Sequence, residues 1–317
     1  MAERSKRIEL YDEEKLKKVN PENMKLYKKY EMDMTIRELS PATIYNYKTD
    51  LFSWFIYIYE NQGNQSVLDL TEDDIAEFIY YCKQEGNNTR RLKRRISSLS
   101  AFYKFLRRKR LIKENPMEFI ERPRKDIDIV VQTFLTKEQV KLMKQKLKEY
   151  GNLQLETYAL LSLSTMARVN AISNIKWEQI DFENMTIDNV LEKEGKLVTL
   201  YFDEEVRDLL LKLKESREAL GIDSEYVFLV KNGGKYTKAT VSTLYSWAKK
   251  IGEMIGVPTL HPHDFRHSGS QLLKLAGMPI EMISELLNHK GLDVTKKHYL
   301  RQDKQQIQRE KSKYKIL

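Results

Sequence analysis

The chain has very little cysteine. Cys82 is the only cysteine among 317 residues, so no disulfide can form within the chain and a reducing cytoplasm is the simplest setting. The sequence has no run of about 18 apolar residues, the length that a membrane-spanning helix needs. Its first residues, Met-Ala-Glu-Arg-Ser-Lys-Arg, lack the apolar core of a signal peptide. We therefore expect a soluble, cytoplasmic protein with no membrane partner.

The length and the net charge of the chain indicate how many domains it has and what kind of partner it binds. A chain of 317 residues with 41% hydrophobic content can bury sizeable cores and has a length suited to two domains. Lysine and arginine number 55 against 46 aspartates and glutamates, a formal net charge of +9. An excess of positive charge favours a polyanionic partner.

The first half of the sequence predicts an all-helical domain over residues 21–122, after a charged extension at residues 1–20. Ser40-Pro41 resembles an N-cap followed by proline at the first helical position. Thr71-Glu-Asp-Asp74 resembles a capping box. Another helix is predicted from about Asn88 to Arg108, because apolar residues recur there at helical spacing.

Basic residues cluster on this last predicted helix, away from its apolar stripe. A solvated helix face is the usual explanation of such a run. The cluster is almost unmixed in sign, and only together with the phosphoryl-transfer residues later in the chain does it favour contact with phosphates that position a domain on DNA. The candidates for this role are Arg90, Arg91, Arg94 and Arg95.

A linker is predicted over residues 123–134, where Pro123 and alternating charges mark a boundary. Thr136-Lys-Glu-Gln139 then caps the first helix of a second domain, predicted over residues 135–299. Residues 300–317 form a polar tail with sparse apolar residues. The tail is either a frayed terminus or a segment that docks on a neighbouring subunit.

The second domain contains an arginine within an apolar stretch. Arg168 lies in an expected helix, and a buried arginine is costly unless it is paired, so an anion such as a bound phosphate is its expected partner. Two short β-runs follow, joined by a tight Glu194-Gly195 turn. Lys193 directly precedes this turn and is preferred over Lys196 as a functional lysine.

Four further residues near the carboxyl terminus complete a set suited to phosphoryl transfer. A phenolic oxygen can attack a phosphodiester if cationic and hydrogen-bond-donating side chains stabilise the charge on the non-bridging oxygens. Arginine is a permanently charged planar fork matched to phosphate, and histidine can donate to phosphate or carry a proton. These residues occur as His263-Asp-Phe-Arg266, Leu-Leu-Asn-His289 and Lys-Lys-His-Tyr299.

From about residue 41 to residue 299 the sequence resembles the tyrosine recombinases, also called the phage integrase family. That family has an arginine on an early catalytic-domain helix, a lysine on a β-hairpin, a His-x-x-Arg, a His or Trp, and a carboxyl-terminal tyrosine. Two positions depart from it: Ala171 replaces an acidic residue three positions after the first arginine, and Asn288 replaces a glycine. The matching residues, in order, are Arg168, Lys193, His263, Arg266, His289 and Tyr299.

The resemblance implies an α-rich, two-domain fold: a helical core-binding domain and a mainly helical catalytic domain with a small β-hairpin or sheet. It also implies a mechanism in which Tyr299 forms a 3′-phosphotyrosyl bond with no metal or ATP cofactor. The implied partner is double-stranded DNA with inverted-repeat sites, clamped between the two domains with the linker as hinge. The protein is expected as a homotetramer on two DNA sites, and as a monomer or dimer when free. DNA-bending accessory proteins, the direction of the reaction and the mobile element or chromosome served are left open.

Other interpretations compete with this one. His261, His263 and His267 lie close enough in sequence to suggest a metal site, although no cysteine accompanies them. A catalytically silent DNA-binding regulator on the same fold, or a type IB topoisomerase, would share many of the features. The segment from Gly277 to residue 289 also resembles the second half of a helix-turn-helix.

One glycine-rich segment does not suggest a nucleotide site. Lys231-Asn-Gly-Gly-Lys235 lacks the Gly-x-x-x-x-Gly-Lys-Ser/Thr pattern of a phosphate-binding loop. It predicts a turn before a helix that starts near Thr240. Lys235 and Lys238 are candidates for contacts with a DNA backbone.

Overall fold

The computed structural model describes residues 11–124, 133–192 and 195–288. The chain divides into two compact units, residues 1–131 and residues 132–317, and the described part of each has its own hydrophobic core. The predicted two-domain, α-rich fold is confirmed. Residues 1–10 of the extension, most of the predicted linker and the whole predicted tail lie outside the described residues.

The first unit is helical throughout its described regular structure, and its core is rich in aromatic side chains. Trp54, Phe55, Phe78, Phe102 and Tyr103 are all fully buried there. Large aromatic rings contribute more buried area per residue than other side chains, so they dominate the stability of a core of this size. The helices are α1 (Glu13–Leu16), α2 (Pro21–Ile36), α3 (Pro41–Asn61), α4 (Glu72–Gln84) and α5 (Thr89–Arg108).

Local capping explains where these helices begin. The Ser40 hydroxyl accepts a hydrogen bond from the backbone of Thr43 at 3.2 Å, with Pro41 at the first helical position. Thr71 and Asp74 form a reciprocal capping box, in which each side chain accepts from the other residue's backbone N–H. Each cap satisfies N–H groups that have no partner within the helix, as predicted.

The second unit combines helices with two small antiparallel sheets. Strands β1 (Ile180–Asp181), β2 (Thr186–Leu191) and β3 (Leu197–Tyr201) form one sheet in that order, with Ile187 opposite Leu200, and β4 (Leu229–Asn232) and β5 (Lys235–Lys238) form a separate hairpin. No helix in the described part of the chain is long and apolar enough to cross a membrane. The elements are α6 (Lys137–Tyr150), α7 (Leu153–Thr165), α8 (Val169–Asn174), β1 (Ile180–Asp181), β2 (Thr186–Leu191), β3 (Leu197–Tyr201), α9 (Glu204–Ala219), β4 (Leu229–Asn232), β5 (Lys235–Lys238), α10 (Val241–Met254), α11 (Pro262–Leu275) and α12 (Ile280–Leu286).

One local prediction for this unit needs correction and another gains detail. The glycine-rich segment forms a turn, as predicted, in which Gly233 and Gly234, both with positive φ, connect the paired strands β4 and β5. Pro279 is the N-cap of α12 and not its first helical residue. The predicted helix near Thr240 does begin at Val241, where the Thr240 hydroxyl accepts from the backbone of Thr243 at 3.2 Å.

Helices α7 and α11 approach closely at a glycine. A Cβ atom on Gly269 of α11 would clash with the backbone carbonyl oxygen of Leu163 and would lie 2.7 Å from Cγ of Met166. Only glycine allows this separation. The contact brings the end of α7 against the middle of α11, three residues after the candidate site residue Arg266.

Candidate active site

Arg168 lies between two helices and not within one. Helix α7 ends at Thr165, Met166 adopts the left-handed conformation with φ 53°, and Arg168 is the N-cap of α8 in an extended conformation. The prediction of an arginine inside a continuous helix is therefore wrong. The break turns the Arg168 side chain out of the apolar stretch, and it remains partly exposed, at 29%.

The anionic partner of Arg168 in this structure is a carboxylate. Nη1 of Arg168 donates to Oε2 of Glu192, which directly follows strand β2. The Glu192 side chain is only 3% exposed, and its backbone N–H donates to the carbonyl of Lys196 at 2.8 Å. The ion pair therefore joins the start of α8 to the base of the β2–β3 hairpin.

Arg266 is the deeply buried arginine of the site, at 1% exposure. Its Nη1 donates to the carbonyl of Met166 at 2.7 Å, and its Nη2 donates to the carbonyl of Leu287 at 2.6 Å. Met166 lies two residues before Arg168, and Leu287 lies two residues before His289. One planar guanidinium thus connects the chain segments that carry two other candidate residues.

His263 lies in the first turn of α11, one turn before Arg266. Its pKa is lowered to about 4, chiefly by burial and also by the charges of Arg266, His261 and Arg168. Because these charges act on it, His263 shares one electrostatic environment with both candidate arginines. Its imidazole is neutral near pH 7 and can accept a proton.

The two neighbouring histidines, His261 and His267, contact protein groups near the start of α11. The backbone N–H of His261 donates to Oδ2 of Asp264 at 2.9 Å, and its Nδ1 lies 3.3 Å from the same oxygen. Burial raises the pKa of Asp264. The ring of His267 packs against His263 and Phe134. Within the described ranges, no group of three or more His, Cys, Asp or Glu side chains could hold a metal ion.

Three predicted site residues lie outside the described residues: Lys193, His289 and Tyr299. The alternative lysine, Lys196, is described and exposed in the loop before β3. Arg168, His263 and Arg266 are brought together within the second unit, on α8 and α11. These three form the described part of the candidate active site.

The predicted phosphate contacts on α5 divide into two kinds. Arg90 is exposed and Arg91 is partly exposed near the amino terminus of the helix. Arg95 is 2% exposed, and its Nε donates to Oδ1 of Asn87 at 3.0 Å. Its prediction as a DNA contact is corrected, because the guanidinium lies inside the first unit.

Arg94 has an intermediate position. Its Nη2 donates to Oδ1 of the buried Asp50 at 2.7 Å, and its Nη1 donates to Oδ1 of Asn46 at 2.7 Å. Asp50 also lies 3.7 Å from Nη1 of Arg95 and accepts from the hydroxyl of Ser98 at 2.8 Å. These contacts join α5 to α3 and use both terminal nitrogens of the Arg94 guanidinium.

The two candidate lysines of the second unit lie on strand β5. Lys235 is exposed at the beginning of the strand. Lys238 is partly buried, with its Nζ 2.6 Å from Oδ1 of Asn174 and 5.1 Å from the centre of the Tyr226 ring. Lys235 is therefore the more accessible of the two.

Two acidic residues that pair with arginines, Glu192 with Arg168 and Asp50 with Arg94, were not predicted from the sequence. Glu192 lies in a mixed Glu-Lys-Glu run, and Asp50 lies in an aromatic helix. Neither has a local pattern that distinguishes it from an exposed carboxylate, because each gains its partner from a segment distant in sequence. An arginine predicted to be buried was the one available signal that a buried carboxylate should exist.

Comparison with known proteins identifies the class. The model of the "Phage integrase family" matches residues 133–306, and that of the "Phage integrase, N-terminal SAM-like domain" matches residues 28–110. The chain therefore belongs to the phage integrase family, the tyrosine recombinases, which are enzymes. This confirms the resemblance found in the sequence.

Individual relatives agree with this assignment. The chain is 29% identical over 274 residues to a protein named tyrosine recombinase XerC from Leptospira interrogans, covering 86% of each. It is 26% identical to a tyrosine recombinase of Thermosipho africanus, covering 82% of this chain and 89% of the relative. The fold is similar to that of the Tn1549 transposon integrase in complex with circular intermediate DNA, with a TM-score of 0.68 at 18% identity, covering 91% of this chain and 98% of that one.

Proposed function

We propose that the protein is a site-specific DNA recombinase that cuts and rejoins DNA strands through a covalent 3′-phosphotyrosyl intermediate. The observation that carries the proposal is the position of Arg266. Its buried guanidinium holds the backbone beside Arg168 and the backbone beside His289. This arrangement suits a site in which several groups must converge on one phosphate.

In the proposed reaction, the phenolic oxygen of Tyr299 attacks the scissile phosphorus in line. A bond forms between this oxygen and phosphorus as the bond from phosphorus to the 5′-oxygen breaks. His263, neutral at pH 7, takes the tyrosine proton, and Lys193 supplies a proton to the leaving 5′-oxygen. The products are a 3′-phosphotyrosyl bond and a free 5′-hydroxyl.

The remaining groups stabilise charge. As the phosphorus becomes pentavalent, negative charge grows on the non-bridging oxygens, and Arg168, Arg266 and His289 are the proposed donors to them. The phosphotyrosyl bond keeps the phosphodiester linkage energy, so a 5′-hydroxyl from another strand can reverse the step. Neither ATP nor a metal ion is needed for this chemistry.

Duplex DNA is the proposed partner, and exchange between two duplexes requires more than one subunit. Similar folds have been solved with DNA, including a lambda integrase tetramer bound to a Holliday junction, with a TM-score of 0.64 to this chain. We extend the same assembly to this protein: a homotetramer on two sites with inverted repeats. The proposed contacts with the DNA backbone are the exposed Arg90 and Lys235 and the partly exposed Arg91.

The decisive test first requires a DNA site, recovered by selecting bound fragments from genomic DNA. A version of that site with a nick next to the scissile phosphate traps the covalent intermediate, because the released fragment diffuses away. Wild-type protein should form an adduct that survives denaturing electrophoresis, and Tyr299→Phe should form none while binding with nearly unchanged affinity. An adduct of undiminished yield in Tyr299→Phe would place the nucleophile elsewhere. No adduct from wild-type protein on a verified site would favour a DNA-binding regulator.

A further inference from the structure

Position 171, where family members usually have an acidic residue, is occupied by a buried alanine. Ala171 lies on α8 three residues after Arg168 and is 1% exposed. Residues three apart on a helix are neighbours, so an acid at position 171 could contact Arg168 directly. The methyl group of alanine cannot orient a guanidinium.

A carboxylate nevertheless reaches Arg168 from a different element. Glu192 follows β2 and lies 24 residues further along the chain, and its Oε2 accepts from Nη1 of Arg168. The Glu192 backbone is fixed by its hydrogen bond to Lys196, and β2 is held in the sheet by its pairing with β3. The carboxylate therefore comes from a rigid part of the second unit.

The geometry leaves Arg168 able to bind a second anion. A guanidinium has five N–H donors, and the contact with Glu192 uses Nη1. The arginine side chain is 29% exposed, whereas that of Glu192 is 3% exposed. The buried carboxylate thus lies behind the guanidinium, and the accessible part of the arginine can meet a phosphate from solvent.

We infer that Glu192 is a positioning residue for Arg168 and supplies from the β2–β3 hairpin the support that Ala171 does not. This inference rests on the proposed function, because it assigns Arg168 to the scissile phosphate. Glu192 also directly precedes Lys193, so the ion pair ties the hairpin carrying the proposed general acid to the arginine. Removal of the Glu192 charge should disturb both groups.

The test measures single-turnover adduct formation on the nicked site with saturating protein. Glu192→Gln keeps the size of the side chain but removes its charge, and it should slow adduct formation by up to about 100-fold, the effect of a small misplacement of a reacting group. The DNA dissociation constant should stay nearly unchanged. Glu183→Gln, an exposed carboxylate in the turn before β2, is the matched control and should react at the wild-type rate.

A double-mutant cycle separates positioning from general damage. If Glu192 acts through Arg168, the variant Arg168→Ala with Glu192→Gln should react within about two-fold of Arg168→Ala alone, because no arginine remains to be positioned. If the double variant reacts more slowly than Arg168→Ala by the same factor that Glu192→Gln causes in the wild-type protein, the two residues act independently and the inference fails. Faster adduct formation and tighter binding by Glu192→Gln would also overturn it, since Glu192 would then be competing with the phosphate.

A second, independent test asks whether a carboxylate at position 171 restores the rate that Glu192→Gln loses. Ala171→Glu, added to Glu192→Gln, should restore most of the lost rate in protein that melts close to the wild-type temperature. A folded double variant without recovery would overturn the inference, and if that variant does not fold, the cycle decides alone. If the wild-type protein forms no adduct, the proposed function itself is contradicted. If the wild-type protein and Glu192→Gln form adduct at equal rates, only the role of Glu192 is contradicted.

Discussion

The guanidinium of Arg266 donates a hydrogen bond of 2.7 Å to the backbone carbonyl of Met166, a residue 100 positions earlier in the chain. Met166 is buried and has a positive φ of 53°. The hydrogen bond stabilises the bend that places Arg168 at the start of α8. Arg266 therefore has a structural role as well as its proposed catalytic one.

This dual role predicts two losses in one variant. Arg266→Ala should lower the free energy of unfolding by about 3 kcal/mol, because two buried carbonyls, those of Met166 and Leu287, lose a charged donor. It should also slow adduct formation by roughly 100-fold or more. Urea titration and single-turnover assays measure the two effects, with Lys274→Ala near the end of α11 as the control for a lost positive charge. Unchanged stability would contradict the structural role.

The hairpin lysines give a direct comparison. Lys193→Ala should slow adduct formation by about 100-fold to 1,000-fold, as expected for loss of one group that acts in the transition state. Lys196→Ala should have a much smaller effect. A substrate with a 5′-thiol leaving group, which needs no proton, should restore the rate of the Lys193→Ala variant. If Lys196→Ala is the more damaging change, the assignment of the general acid moves to Lys196.

Arg90 and Arg91, near the amino terminus of α5, should affect binding of DNA without affecting its sequence specificity. Replacing Arg90 and Arg91 by alanine should flatten the dependence of log K on log salt concentration by about 0.9 for each lost phosphate contact. The loss should be equal on cognate and random DNA, because phosphates carry no base information. Fluorescence anisotropy across a salt series measures the slope. The paired variant Lys28→Ala with Lys29→Ala removes the same charge from exposed positions on α2, and an equal change in its slope would contradict a specific role for α5.

The Asp50 cluster should contribute to stability and not to chemistry. Asp50→Asn leaves Arg94 and Arg95 without their anionic partner, and breaking such a buried pair should cost about 3 kcal/mol. Ser98→Ala removes one hydrogen bond to the same carboxylate and should cost about 2 kcal/mol. The neighbouring Ser97→Ala is the matched control, because its hydroxyl bonds only within α5, to the carbonyl of Lys93. Denaturant titration of all three variants tests this order.

The lowered pKa of His263 predicts a pH dependence of stability. In the unfolded chain the imidazole has its ordinary pKa of 6.5, whereas in the folded protein the pKa is about 4. Between these values the unfolded state binds a proton that the folded state does not, so stability should fall as pH falls from about 6.5 to about 4. Thermal melting across this range should show a flatter curve for His263→Gln than for wild type. Parallel curves would mean that His263 is not the group responsible.

Features set by local chemistry could be predicted from the sequence. The Ser40 and Thr71 caps depend on residues within one turn, and such signals fix where a helix starts. The sequence also predicts the candidate site residues, of which the structure describes Arg168, His263 and Arg266. The break before Arg168 was not, because apolar residues continue at helical spacing on both sides, and the left-handed Met166 is held by a contact from Arg266, 100 residues away.

The sequence also could not predict which charged residues of the basic run on α5 are buried. Arg94 and Arg95 differ in exposure although they are adjacent and of one type. Both contact Asp50 on another helix, but Arg95 also donates to Asn87 and lies over the ring of Phe78, so its guanidinium is inside the first unit. A run of positive charge in a sequence does not distinguish a partner within the fold from a partner in solution.

The close contact between Gly269 of α11 and the end of α7 limits which variants can be obtained by directed evolution. Because the backbone carbonyl of Leu163 lies beside this glycine together with the Met166 side chain, a change in the Met166 side chain alone cannot make room for a larger residue at position 269. Libraries selected for new DNA sites should therefore retain glycine at position 269 in every active clone. Adaptation to a new target must come from surfaces that leave this crossing untouched.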